Sequence, residues 1–212
     1  MKYQTKMRFV FPKSDYGEKV KDFIREFDEY GSEINGSGGL ERYLNQSTYE
    51  EWLKKVMADI DIANIEPGRV PALTYFYVRE EDDKVVGMIN IRLALNAFLR
   101  EEGGHIGYCV RPAERGKGYA TRMLEEALNF CGSIGLTEFV LTCDQSNIAS
   151  ARVIQHCGGR LEAEFYSGNL PADHSEIQNP PIEKKCRNEE QVSEGKDLRT
   201  NHCEQTFSRK PF

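Results

Sequence analysis

The run Ile106-Gly-Tyr-Cys-Val-Arg-Pro-Ala-Glu-Arg-Gly-Lys-Gly-Tyr-Ala-Thr-Arg-Met-Leu124 constrains this chain more than any other stretch. It reads as a short strand that enters an amphipathic helix through a basic, glycine-rich turn. Met123, Leu124, Ala127, Leu128 and Cys131 recur at helical spacing and define one apolar stripe. Gly116 and Gly118 free the backbone to take conformations that side chains oppose and to approach a ligand closely. The first-turn N–H groups of the following helix have no partner inside it, and the positive end of the helix dipole lies behind them. With Arg115 and Lys117 adding full charge, the turn is an anion cradle, and a phosphate-bearing ligand is the first expectation.

The same turn excludes two common phosphate binders. No Gly-Lys-Ser/Thr closes a four-residue gap after a glycine, so the P-loop pattern fails. Gly116 and Gly118 match the first two glycines of the dinucleotide fingerprint, but Thr121 stands at the third. Residues Pro112 to Arg115 also separate Arg111 from the first glycine, whereas in a Rossmann turn the glycines follow the strand almost directly. The spacing that fits is Arg115-x-x-Gly118-x-Ala120, and on these residues the chain resembles the GNAT superfamily of acyl-CoA-dependent N-acetyltransferases.

The resemblance extends from residue 5 to residue 165. Thr137-Glu-Phe-Val-Leu-Thr-Cys-Asp144 is strand-like, and Asn147-Ile-Ala-Ser-Ala-Arg-Val-Ile-Gln-His-Cys-Gly-Gly159 is helical, with Ser146 or Asn147 as N-cap and glycine just past its end. That order is similar to the family's second cofactor-contacting strand and helix. Ile34-Asn-Gly-Ser-Gly-Gly-Leu40 and Val86-Gly-Met-Ile-Asn-Ile-Arg92 are similar to one bacterial branch of predicted acetyltransferases. The resemblance implies an α+β fold of three layers: a twisted, mixed but mostly antiparallel sheet flanked by helices, with a splayed pair of strands holding acyl-CoA.

Along the chain, residues 6 to 11 read as a strand ended by Pro12, followed by a helix that Ser14 or Asp15 can cap and whose apolar face is Val20, Phe23, Ile24 and Phe27. A second helix, capped by Ser47 or Thr48, carries Tyr49, Trp52, Leu53, Val56, Met57 and Ile60. Strands over 72–79 and 85–93 flank the turn Glu81-Asp-Asp83, with Val85, Gly87, Ile89, Ile91 and Leu93 assigned to one face. Residues 104–110 form the strand that feeds the phosphate turn. Of the last 47 residues only seven are Leu, Ile, Val or Phe, too few for a core. The expectation is an N-acetyltransferase domain over 1–165 and a polar, mobile tail over 166–212, without a final strand unless Thr206-Phe-Ser208 adds a short edge. A sheet left open there could pair with a second copy as a homodimer.

A net charge of −6 and a pI near 5.4 argue against nucleic acid and favour small molecules or basic partners. No apolar run approaches the ~20 residues that span a bilayer, and the first residues lack the apolar core of a secretory signal, so no membrane association is expected and the cytoplasm is the expected compartment. The six cysteines show no metal spacing and read as reduced, buried thiols; no metal is expected.

What the resemblance implies about the site is specific. Acetyl-CoA is the co-substrate and a primary amine of a small molecule or protein the acceptor. Backbone groups of Tyr108 to Val110 pair with the pantetheine arm, and the Val110 N–H polarises the thioester. The pyrophosphate rests on Arg115, Gly116, Lys117, Gly118, Tyr119 and Ala120, with Thr121 Oγ in reach, while Asn147 holds the pantetheine from the opposite helix. His105 stands where many members carry a glutamate and is the expected general base, with Glu102 as the alternative. The tyrosine that often protonates the leaving thiolate is replaced by Ile154. Asn90 and Arg92 share a strand face and could orient the acceptor, and Asn35–Gly39 could close over it. The competing readings are a non-catalytic acyl-CoA sensor and an unrelated nucleotide binder.

Overall fold

In the computed structural model residues 5–167 and 202–209 are described, apart from the side chains of 101, 102, 165–167 and 202–204. Two apolar runs separated by a charged turn fold back on each other. These are β2 (Ala72–Arg79) and β3 (Lys84–Arg92), and Asp83 turns the chain at φ 51°. β1 (Met7–Val10) lies outside β2, and β4 (Ile106–Val110) outside β3, giving an antiparallel sheet of order β1-β2-β3-β4. A second antiparallel sheet has the order β5-β7-β6, from β5 (Phe139–Asp144), β6 (Arg160–Ser167) and β7 (His202–Arg209).

β7 corrects the expectation for the end of the chain. It is not a short edge at Thr206–Ser208 but an eight-residue strand between β5 and β6, with Phe207 opposite both Leu141 and Leu161 and fully buried. Its residues Gln205, Phe207 and Arg209 do not alternate in polarity, so the pattern that marks a strand is missing although the pairing is there. β7 fills the place beside β5 that was expected to stay open, and β6 becomes the outer strand of this sheet. The tail expectation for 168–201 lies outside the described residues.

Helices cover both faces of the first sheet. α1 (Gly17–Glu29), α2 (Leu40–Gln46) and α3 (Tyr49–Ala58) bury Phe23, Phe27, Leu40 and Trp52 against Phe76, Val78 and Met88. α5 (Tyr119–Ser133) and α6 (Ile148–His156) bury Met123, Leu124 and Ile154 against Ile89, Ile91 and Leu141. The stripe Val20, Phe23, Ile24, Phe27 is buried as its spacing requires, and Thr48 caps α3 by accepting from the Glu51 N–H at 3.2 Å. Neither Ser14 nor Asp15 caps α1; they form a 3-10 turn, Ser14–Tyr16, that leads straight into it. Two short helices were not legible: α2, and α4 (Ala97–Glu102), which Asn96 caps.

Simple alternation fails along β3. The register steps from Tyr77↔Gly87 to Val78↔Val85, so Val86 is a bulged extra residue. Val85 consequently packs with Met88 toward α1, while Ile89 and Ile91 face α5. Cys109, Cys131, Cys143 and Cys157 are buried free thiols. Among the described residues no helix is long and apolar enough to cross a membrane.

Candidate active site between the two sheets

No ladder joins β4 to β5. At one end the His105 N–H donates to the Val140 carbonyl (2.7 Å) and the Val140 N–H donates to His105 Nδ1 (3.0 Å). Gly104 makes this junction tight: at φ +58° it packs so that a Cβ would sit 2.5 Å from the Val140 oxygen. On its other side β4 is held by β3, and bonds from Arg92 N–H to the His105 carbonyl and from Arg111 N–H to the Val86 carbonyl flank that ladder. Antiparallel bonding alternates, so Gly107 and Cys109 turn their polar groups to β3, and Ile106, Tyr108 and Val110 turn theirs toward the gap. The Val110 carbonyl there accepts from Arg115 Nε at 3.1 Å.

The basic turn sits at the Val110 end of that gap. Gly116 and Gly118 have φ of +76° and +81° with open space where a side chain would be, so conformation rather than crowding requires glycine, and a ligand can approach both. Gly118 is the N-cap of α5 and supplies no capping side chain, whereas Thr48, Asn96 and Asn147 each cap their helices. The first N–H groups of α5 are thus left to an external acceptor. Tyr119 is buried and Ala120 packs on the core, so only their backbones can serve a ligand. Thr121 is half-buried on the first turn of α5.

Both cations of the turn are engaged within the protein. The Arg115 guanidinium also donates to Ser32 Oγ (2.7 Å) and stacks on Phe27, and Lys117 Nζ pairs with Glu114 at 2.7 Å. The turn rests on ion pairs that motif reading did not identify. Glu114 is buried beneath it and gathers Arg79 (3.1 Å) and Lys84 (3.3 Å) as well as Lys117. Against the desolvation that would raise it, Lys117, Arg79 and Lys84 hold the Glu114 carboxyl at about 2. Arg111, also buried, reaches Asp22 (2.9 Å) and Glu26 (2.8 Å), and Glu26 accepts in addition from the Ala113 N–H (2.8 Å). Asp22 and Glu26, one turn apart beside the apolar face of α1, were the available signal.

Across the gap Asn147 caps α6: its Oδ1 accepts from the Ser150 N–H at 3.0 Å. Tyr108 reaches the same helix, its hydroxyl 3.0 Å from Ser150 Oγ, and burial raises its pKa so that it stays protonated. Ile154, where the resemblance led us to look for a tyrosine, is buried core.

On the opposite face of the first sheet, Asn90 and Arg92 line a cleft of about 440 Å³ under the loop Ile34 to Gly39. Asn90 donates to Thr74 Oγ1 at 3.0 Å, and Arg92 Nη1 donates to the carbonyls of Gly103 (2.6 Å) and Gly104 (2.9 Å). His105 is buried at the junction. Burial lowers its pKa, with Arg100 and Arg92 acting in the same sense. Because Nδ1 accepts from Val140, the neutral ring carries its hydrogen on Nε2, and no lone pair is free as the ring stands. Glu102 closes α4, and its side chain lies outside the described residues. Among the described residues no three His, Cys, Asp or Glu side chains converge as a metal site.

The sequence model of the Acetyltransferase (GNAT) family matches residues 39–158, and the chain belongs to that family. No match is found among curated protein sequences. Among solved structures, the fold is similar to the microcin C7 self-immunity acetyltransferase MccE in complex with acetyl-CoA and AMP (TM-score 0.62, 15% identity, 98% of this chain and 94% of that chain). It is also similar to the ribosomal L7/L12 α-N-protein acetyltransferase RimL in complex with coenzyme A (TM-score 0.61, 15% identity, 98% and 95%). A putative ribosomal-protein-serine acetyltransferase from Vibrio cholerae follows at TM-score 0.59 with 15% identity over 98% and 95%. At these identities the likeness is one of fold.

Proposed function

We propose that this protein moves an acetyl group from acetyl-CoA to a primary amine by direct attack in a ternary complex. The observation that carries the reading is the conjunction of a β4–β5 gap closed at its His105–Val140 end with the uncapped N-terminus of α5 at the other. Backbone N–H groups of residues 115 to 120 would hold the pyrophosphate, with Thr121 Oγ beside them and the glycines allowing close approach. The Val110 N–H faces the gap and would polarise the thioester carbonyl. Asn147 has its amide N–H group left for the pantetheine arm. Acetyl-CoA supplies an activated acyl carbon and a thiolate leaving group.

Tyr108 is the group we assign to protonating that thiolate. It stands in the gap, bonded to α6, and is kept protonated by burial. The amine proton has two routes: His105, once its ring releases the Val140 N–H, or water in the cleft; Glu102 is the alternative base. The occupied Nδ1 and lowered pKa of His105 favour water. Structures of similar fold include a ribosomal L7/L12 α-N-protein acetyltransferase, a ribosomal-protein-S5-alanine acetyltransferase and a putative phosphinothricin N-acetyltransferase, which supports an amine acceptor without choosing one. The test is acceptor-dependent release of CoA thiol across a panel of amines. Acetyl-CoA binding without release for any amine would reduce the protein to a sensor.

A further inference from the structure

The cleft under the loop Ile34 to Gly39 has a volume, about 440 Å³, suited to a small ligand. It lies beside β4, because Gly36 packs on Gly107 so closely that a Cβ would be 2.1 Å from the Gly107 oxygen. Its charged lining consists of Arg42, Lys55, Arg69 and Arg92 against Glu41 and Asp59. A chain of net charge −6 therefore presents a cationic cleft here. Both carboxylates are committed. Asp59 holds Lys55 at 2.6 Å and Arg69 at 3.7 Å, and Glu41 accepts from Ser37 Oγ.

Among the described residues Arg92 has no such counter-charge. Its Nη1 is spent on the carbonyls of Gly103 and Gly104, and among the described residues no carboxylate reaches its guanidinium and no acceptor meets its Nε or Nη2. Burial pulls its pKa down, as it does for an uncompensated cation. Asn90, two residues earlier on the same strand face, spends its amide N–H on Thr74 and leaves Oδ1 toward the cleft. A half-buried guanidinium with free donors is matched by a planar oxyanion. A neighbouring amide oxygen is matched by an amine N–H.

We propose that this cleft takes an amine acceptor that itself carries an oxyanion, a carboxylate or a phosphate, docked on Arg92 with its amine toward Asn90. The proposal rests on the acetyltransferase reading and narrows it. It runs against the basic acceptors that the overall charge favours, because the local field of the cleft has the opposite sign.

The test uses pairs of amines that differ only in the anion: an α-amino acid with its carboxamide, and phosphoethanolamine with ethanolamine. Turnover with acetyl-CoA is measured for each. Calorimetry then follows the N-acetylated form of each binding to the CoA-loaded protein. The anionic member of at least one pair is expected to be favoured about tenfold or more in kcat/KM and in product affinity. Which pair shows it identifies the oxyanion. Arg92→Met should erase the preference at unchanged acetyl-CoA affinity, which also reports that the variant folds, and Arg92→Lys should restore part of it. Equal or better use of the neutral members overturns the proposal, as does a preference that survives Arg92→Met or a failure of both anionic products to bind. Failure of the wild-type protein to bind acetyl-CoA at all, measured before any acceptor is added, would sink the acetyltransferase reading instead.

Discussion

Glu114 shows how one carboxylate can hold a functional loop. Its side chain is 6% exposed and meets three cations that come from β2, from the start of β3 and from the turn itself. Its folded pKa of about 2 lies below the usual carboxylate value of 4.5. The contribution to stability is therefore fully present above about pH 4.5 and is lost as pH falls toward 2, on the order of 3 kcal/mol over that window. Thermal melts should show Glu114→Gln less stable than the parent at neutral pH and less sensitive to acid between pH 5 and 2. Parallel pH curves would mean that the three cations do not act through this carboxylate. His105 offers a second test at the same scale. If its lone pair stays committed to Val140, His105→Ala should reduce turnover by up to ~10²-fold through a loosened junction while the pH profile keeps its shape. A titrating limb that vanishes in the variant would instead show the ring accepting the proton.

At the scale of elements, the uncapped start of α5 carries the clearest expectation. Gly118→Asp places a carboxylate in open space beside the N–H groups meant for phosphate, and Asp tolerates a positive φ better than most residues. The variant should fold and lose more than ~10-fold in acetyl-CoA affinity by calorimetry; unchanged affinity would move the cofactor elsewhere. This turn was legible because its signal is local: glycines at fixed spacing, flanking charges and an apolar helical stripe all fall within 26 residues, from Ile106 to Cys131. The ion pairs beneath it were not, because Arg111 and Glu114 find partners at Asp22, Glu26, Arg79 and Lys84, which only folding brings near. Val85 was misassigned for a related reason. A bulge is set by pairing across strands, and no property of Val86 announces that it is the extra residue. Asn90 and Arg92 could be placed on one strand face from their spacing, but the cationic character of the cleft they enter depends on three other segments.

Across the whole molecule, the sheet that forms one wall of the gap depends on a strand distant in sequence. β5 and β6 do not pair with each other; each pairs with β7, and Phe207 supplies a fully buried side chain at the centre. Deleting residues from 202 onward should thus leave two unpaired strands and a cavity, at a cost of more than the ~3–5 kcal/mol of losing one buried Phe. The measurement is the melting temperature of the truncated chain and its affinity for acetyl-CoA. A truncated protein that melts and binds like the parent would show that β7 is dispensable. The first sheet closes within residues 7–110 and has no such dependence.

That placement of β7 also sets an order of events during synthesis. As the chain leaves the ribosome, the first sheet has all its strands once Val110 emerges, whereas β5 and β6 must wait with bare edges until Arg209 is clear of the exit tunnel. For that interval β5 and β6 present unpaired backbone groups that another chain can meet.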